Sequence, residues 1–172
     1  VNIIRDDNLS LDYLVTPNAE RTAKALIENF ERGTHAFNLI GSFGTGKSAF
    51  FWALEKSLIG EKEYFNTAYN GKVEFIKIIG DFASLETALN NEFAVTNEFT
   101  NNQKLFDAIY KRYEEINANN GLLVLAIDEF GKFLEYAAKN NPEDEIYFIQ
   151  KLAEFVNAPN RNILLLTSIH QS

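Results

Sequence analysis

Residues 41–48 read Gly-Ser-Phe-Gly-Thr-Gly-Lys-Ser, a spacing of glycines, one lysine and one hydroxyl that suits the holding of a polyphosphate. Gly41, Gly44 and Gly46 lack the Cβ that would hinder a tight loop from turning its backbone N–H groups inward onto phosphate oxygens. An apolar run at 37–40 feeds the loop, and Ala49, Phe50, Ala53 and Leu54 leave it at helical spacing. Anions are favoured at the start of such a helix, because its first N–H groups have no intrahelical acceptor. Lys47 is expected to reach the β- and γ-phosphates, and Ser48 to give its hydroxyl oxygen to Mg²⁺. Gly41, Ser42, Phe43, Gly44, Thr45, Gly46, Lys47, Ser48 and Ala49 are therefore the candidate nucleotide contacts. A chance match to all the fixed positions has odds of roughly one in a hundred.

A second reactive pair follows an apolar run at 122–127, which ends in Asp128-Glu129. A strand that delivers two carboxylates beside a phosphate loop is the second half of many P-loop ATPases. Asp128 is expected to hold the Mg²⁺ shell, and Glu129 to activate the attacking water as a general base. Phosphoryl transfer needs positioning and charge neutralisation more than covalent chemistry, so Lys47, Mg²⁺ and Glu129 form a minimum set. The plainer alternative is an acidic helix start. Asp128-Glu-Phe-Gly131 also fits the Asp-x-x-Gly switch of GTPases, but the Asn-Lys-x-Asp that reads guanine does not occur in the sequence. The nucleotide expected is ATP.

These groups need a scaffold that brings them to one edge. Runs at 36–40, 73–79, 122–127 and 163–167 are mostly apolar and short, as strands buried on both faces should be. Helical spacing separates them. Thr16-Pro17 opens the first helix, with Thr16 as N-cap and Pro17 at the first helical position, and Gly33 stops it. Further helices are expected at 47–58 (closed by Gly60), 85–93, 105–116, 130–138 and 143–156, the last with Ile146, Ile149, Leu152, Ala153 and Val156 turned inward. Asn-rich stretches around Asn90, Asn101 and Asn119 read as loops. Alternating strands and helices predict an α/β fold, a three-layer sandwich around a parallel sheet.

The chain has 172 residues, enough for one domain, with 46% hydrophobic residues and no cysteine. That excludes disulfides, thiolate metal sites and cysteine nucleophiles, and suits a cytoplasmic protein. A net charge of −8 argues against a broad nucleic-acid footprint on this piece. No run is long enough for a membrane span, and no Met occurs even at position 1, which suggests a piece of a longer protein.

Taken in order, the phosphate loop, the second strand, the Asp-Glu strand and a fourth strand ending in Thr167-Ser-Ile-His-Gln171 resemble the additional-strand P-loop ATPases, and the AAA+ superfamily in particular. In those terms residues 41–48 are Walker A and 123–129 Walker B. The resemblance implies strand order (5)-1-4-3-2, with strand 5, an arginine finger and a helical lid beyond the end of this chain. The absent strand would leave the first strand as an apolar edge. The resemblance also implies that Thr167 or Ser168 senses the γ-phosphate, and that Thr16-Pro17 lies by the adenine. Arg161 precedes its strand, at the wrong end for a finger. His170 falls near the nucleotide edge and reads as a surface histidine, and His35 reads as structural. A weaker resemblance, around Asp128–Glu135 and 167–171, is to large bacterial ATPases, some of them encoded in phage-defence or DNA-modification operons. What the resemblance implies is ATP hydrolysis coupled to conformational change, or to self-association or assembly with a protein partner. The alternatives are a low-turnover signalling switch and a small-molecule phosphotransferase. Nucleic acid would enter only through a parent protein.

Overall fold

In the computed structural model, which describes residues 14–42, 46–96 and 102–171, the apolar runs form strands and the segments of helical period form helices. The elements in chain order are α1 (Pro17–Glu31), β1 (Ala36–Ser42), α2 (Lys47–Ile59), β2 (Val73–Ile79), α3 (Leu85–Glu92), α4 (Gln103–Asn117), β3 (Leu122–Asp128), α5 (Gly131–Lys139), α6 (Pro142–Val156) and β4 (Ile163–Gln171). The strands form one parallel sheet in the order β1-β4-β3-β2. This is the order expected from sequence. The connection through α2 crosses to the far edge, and β3 and β4 then step back toward β1.

Period-two alternation divides the sheet's residues between two cores. Leu122, Val124, Ala126, Leu164 and Leu166 pack with α1 and α2. Leu123, Leu125, Ile127, Ile163 and Leu165 pack with α3 to α6. All seven residues of β3 are buried, as a central strand covered by helices on both faces requires. β1 lies at the edge of the sheet, and Ile40 is 63% exposed there. α2 is buried along nearly its whole length. Even its Glu55 is buried, in an ion pair with Lys77 of β2 at 2.8 Å.

Two sequence expectations need correction. Ile146 is exposed and Ala153 only half-buried; the inward face of α6 is Phe148, Leu152 and Val156. The stripe is shifted because Phe148 stacks against Phe106 of α4, with ring centroids 6.0 Å apart. Asn90 lies in α3, as the helix expected at 85–93 requires and against its reading as an Asn-rich loop, and is buried. β4 runs from the apolar residues at 163–167 on through its polar end to Gln171, with Gly41 and Ser42 of β1 paired alongside that end. Thr16 does cap α1, accepting from the Ala19 N–H at 3.1 Å, with Pro17 at the first position.

The start of α6 carries Glu143, Asp144 and Glu145. Partial burial raises the Glu145 carboxyl above its ordinary value; a hydrogen bond from Ser84 opposes this, and the charges of Glu86 and Asp144 add to it. A carboxyl with a raised folded pKa binds more protons in the folded chain. Stability is therefore lost as pH climbs from the ordinary carboxylate range through the raised value. Glu145→Gln should raise the melting temperature slightly at pH 7, by about 1–2 °C after allowance for screening. The gain should vanish below about pH 4, which melts at the two pH values would check.

Candidate functional site at the carboxyl edge of the sheet

In a parallel sheet every strand ends on the same side, so the carboxyl ends of β1, β3 and β4 meet at one edge. β1 ends in Gly41 and Ser42, and α2 starts at Lys47. Phe43, Gly44 and Thr45 lie outside the described residues. Gly46 stands at the N-cap of α2 with φ +80°, a left-handed conformation that favours glycine, and no side chain caps the helix. Lys47 folds back over the loop entry, its Nζ donating to the Gly41 carbonyl at 3.2 Å. Ala49 follows, half-buried, in the first turn.

Asp128 is only 5% exposed, yet its carboxylate is well supplied with donors. The Ser48 hydroxyl donates to Oδ2. The Ser168 hydroxyl donates to Oδ1 at 2.6 Å, and the Glu129 N–H to the same atom at 3.0 Å. Residues 48, 128 and 168 thus form one hydrogen-bonded group, drawn from α2, β3 and β4.

After Asp128 the chain turns sharply. Glu129 has φ +54°, an uncommon conformation for a residue with a Cβ. Three backbone bonds hold the turn. The Glu129 N–H also lies 3.0 Å from Ser168 Oγ, the Phe130 N–H donates to the Ser168 carbonyl at 2.7 Å, and the Gly80 N–H donates to the Asp128 carbonyl at 2.7 Å. The Glu129 carboxylate is about one-third exposed and lies 3.4 Å from Lys132. Gly80, just past β2, was not singled out from sequence. A Cβ there would sit 1.8 Å from the Glu129 carbonyl oxygen, so only glycine admits this turn.

Sequence left Thr167 and Ser168 as alternatives, and the two face opposite ways. Ser168 shares the parity of Leu164 and Leu166, which face α2, and it reaches Asp128. Thr167 faces the other layer, where its hydroxyl lies 2.8 Å from Asn38 Oδ1 and 3.3 Å from the Phe37 carbonyl. The structure therefore brings together Lys47, Ser48, Asp128, Glu129 and Ser168, and leaves Thr167 out. His170 was read as a surface residue. It is exposed, but its Nδ1 lies 3.4 Å from Lys47 Nζ. The signal that could have found it was parity, since it stands two residues beyond Ser168.

Elsewhere, Arg161 stacks on Tyr110 and Phe155 (4.9 and 4.4 Å to the ring centroids). His35 is buried, stacked on Phe30 and donating from Nδ1 to the Val156 carbonyl at 2.6 Å, which accounts for it as a structural residue.

A structure of the Aeropyrum pernix ORC2 protein, solved as ADPNP-ADP complexes, matches 98% of this chain at a TM-score of 0.60 and 18% identity. The chain has the fold of an AAA+ P-loop ATPase core. A structure of C. elegans PCH-2 matches 90% of it at a TM-score of 0.50 and 19% identity. The chain spans 45% and 37% of the lengths of those two chains. No family model matches it, and no curated protein does. Among the described residues, no helix is long and apolar enough to cross a membrane.

Proposed function

We propose that this AAA+ core binds ATP with Mg²⁺ at the carboxyl edge of its sheet and hydrolyses it, the nucleotide state driving a conformational change or assembly with a partner. One observation carries the reading: Ser48, Asp128 and Ser168 come from three separate elements and meet in a single hydrogen-bonded group next to Lys47. Two bare serine–aspartate contacts could serve the fold alone. A lysine at the loop entry and an uncapped helix start beside them make a cation and polyphosphate site the better account.

The donor set fits Mg²⁺. It offers hard oxygen atoms from one hydroxyl and one carboxylate, and Mg²⁺ is usually held by one or two carboxylates together with substrate phosphates and waters. Ser48 and Asp128 would hold it, and when bound it would neutralise charge on the phosphates. In this reading residues 41–49 cradle the phosphates and Lys47 pairs with the β- and γ-oxygens. Ser168 orients Asp128, and Glu129 takes a proton from the attacking water. Thr167 is left with a structural bond to β1. Thr16 and Pro17 by the adenine remain a proposal from resemblance, beside the capping bond that Thr16 makes.

The low-turnover switch has one observation in its favour, the Glu129–Lys132 contact, which occupies the carboxylate of the general base. An exposed pair of this kind contributes about 0.5 kcal/mol, too little to hold Glu129 back. Hydrolysis is therefore the reading preferred.

Calorimetric titration of ATP, ADP and GTP, each with Mg²⁺, tests the proposal. Adenine nucleotides should bind in preference to GTP, and Lys47→Ala should weaken ATP by about thirtyfold, the worth of a lost charge-assisted hydrogen bond. A folded protein that binds none of the three would overturn the reading.

A further inference from the structure

A cleft of about 980 Å³ lies between α3 and α6, and none of Lys47, Ser48, Asp128, Glu129 or Ser168 lines it. Glu86 and Asn90 stand four residues apart on α3, and Asp144 and Phe148 four apart on α6, so each pair shares one face of its helix. Among the described residues that line the cleft, Glu86, Asp144 and Glu145 bring three carboxylates against the one ammonium of Lys151. That ammonium is engaged, donating to Asn102 Oδ1 at 2.8 Å and lying 5.2 Å from the centroid of the Tyr147 ring. Acids in a first turn are ordinary, because they answer the positive end of a helix. Asn90 has no such account. It lies in the last turn of α3 and is 9% exposed, and among the described residues nothing donates to its Oδ1. A buried acceptor without a donor costs stability, and one kept in a cleft wall points to a donor from outside the chain.

We infer that the cleft receives an arginine side chain of a protein partner, its guanidinium donating to Asn90 Oδ1 and to the carboxylates of Asp144 and Glu145. Among the described residues no three acids stand close enough to hold a metal ion, so the acceptors suit a cation that spreads its donors. A guanidinium carries five N–H donors in a planar fork, and it is more weakly hydrated than an ammonium. The end torsion of an asparagine is broad, so the Asn90 amide can turn to meet it. Burial, and after it the charges of Glu86 and Asp144, raise the Glu145 carboxyl against the hydrogen bond from Ser84, and a cation between these acids relieves that repulsion. Asn90 and Glu145 are thus two groups on facing helices, each kept at a cost to the fold. The inference adds the chemistry of a partner to the proposed function and stands on other residues than the ATP site.

The probes are two blocked tripeptides, acetyl-Gly-Arg-Gly-amide and its citrulline counterpart, which has the same shape and no charge. Each is titrated into the protein and followed by the asparagine side-chain signals in an NMR spectrum. The arginine peptide should move the Asn90 signals, and the citrulline peptide should bind about tenfold more weakly. Asn90→Leu, of similar size and without the lone acceptor, should lower arginine-peptide affinity about tenfold and raise the melting temperature by a few degrees. Asp144→Asn, at an exposed position, should lower the affinity about threefold, and it alone decides if Asn90→Leu does not fold. Equal binding of the two peptides would overturn the inference, and so would unchanged affinity in the variants. Spermidine that moves the same signals as strongly would show a site for charge alone and overturn it too. ATP affinity should not change in either variant, so failure here leaves the nucleotide site standing.

Discussion

Glu129→Gln is expected to cut ATP turnover about a thousandfold while leaving ATP affinity within about twofold. The magnitude is that of a lost general base, which typically contributes 10²–10⁴-fold. The substitution keeps the size and shape of the side chain and removes only its ability to take a proton. The turn that presents it should survive, because that turn is held through backbone atoms: the Glu129 N–H to Asp128 Oδ1 and Ser168 Oγ, and the Phe130 N–H to the Ser168 carbonyl. The contact with Lys132 is lost, but an exposed pair contributes too little to unfold the chain. Phosphate release measured beside calorimetric binding separates the two effects. Turnover within tenfold of wild type would place the base elsewhere and remove Glu129 from the mechanism.

Gly80→Ala should destabilise the protein by about 3 kcal/mol, at the upper end of what overpacking costs. That corresponds to a fall in melting temperature of about 6–12 °C for a chain of this size. The new methyl would collide with backbone, the Glu129 carbonyl at 1.8 Å and the Asp128 carbonyl at 3.2 Å, and backbone cannot swing aside as a side chain can. The Asp128–Glu129 turn must move, so turnover should fall with stability. Gly60→Ala is the comparison. Gly60 ends α2 with φ +88° and nothing within 4 Å of its virtual Cβ, so that change should cost only about 1 kcal/mol of backbone strain and spare the site. Equal losses from the two variants, read by thermal melts, would show that Gly80 matters for its conformation and not for its closeness to Glu129.

The parts most legible in the sequence were those with local causes. The strand run at 73–79 was bounded correctly, since its β-branched and aromatic residues Val73, Phe75, Ile76, Ile78 and Ile79 suit a strand even with Glu74 and Lys77 among them. The start of α1 was equally plain, because Thr16 and Pro17 act within one turn. The inward stripe of α6 was less so. Ile146 and Phe148 are both apolar, and the choice between them was made by Phe106, 42 residues away and on another helix. Asn90 misled for a similar reason: its composition suggests a loop, while its neighbours Leu85 and Leu89 anchor α3 in the core.

The division at the site follows the same line. By itself the sequence determined the phosphate-loop spacing, the strand that ends in Asp128-Glu129 and the alternating pattern of a parallel α/β sheet, since each depends on residues close together in the chain. That Thr167 and Ser168 face opposite ways follows from strand alternation once both lie in β4. Which of the two faces α2 was decided only by the tertiary structure, through the register that pairs Thr167 with both Asn38 and Ile127. Gly80 against Glu129 and His170 beside Lys47 were decided there too. These pairs stand 49 and 123 positions apart in the sequence. No local propensity spans such distances; the crossover that carries the chain through α2 to β2 and back to β4 is what makes them neighbours.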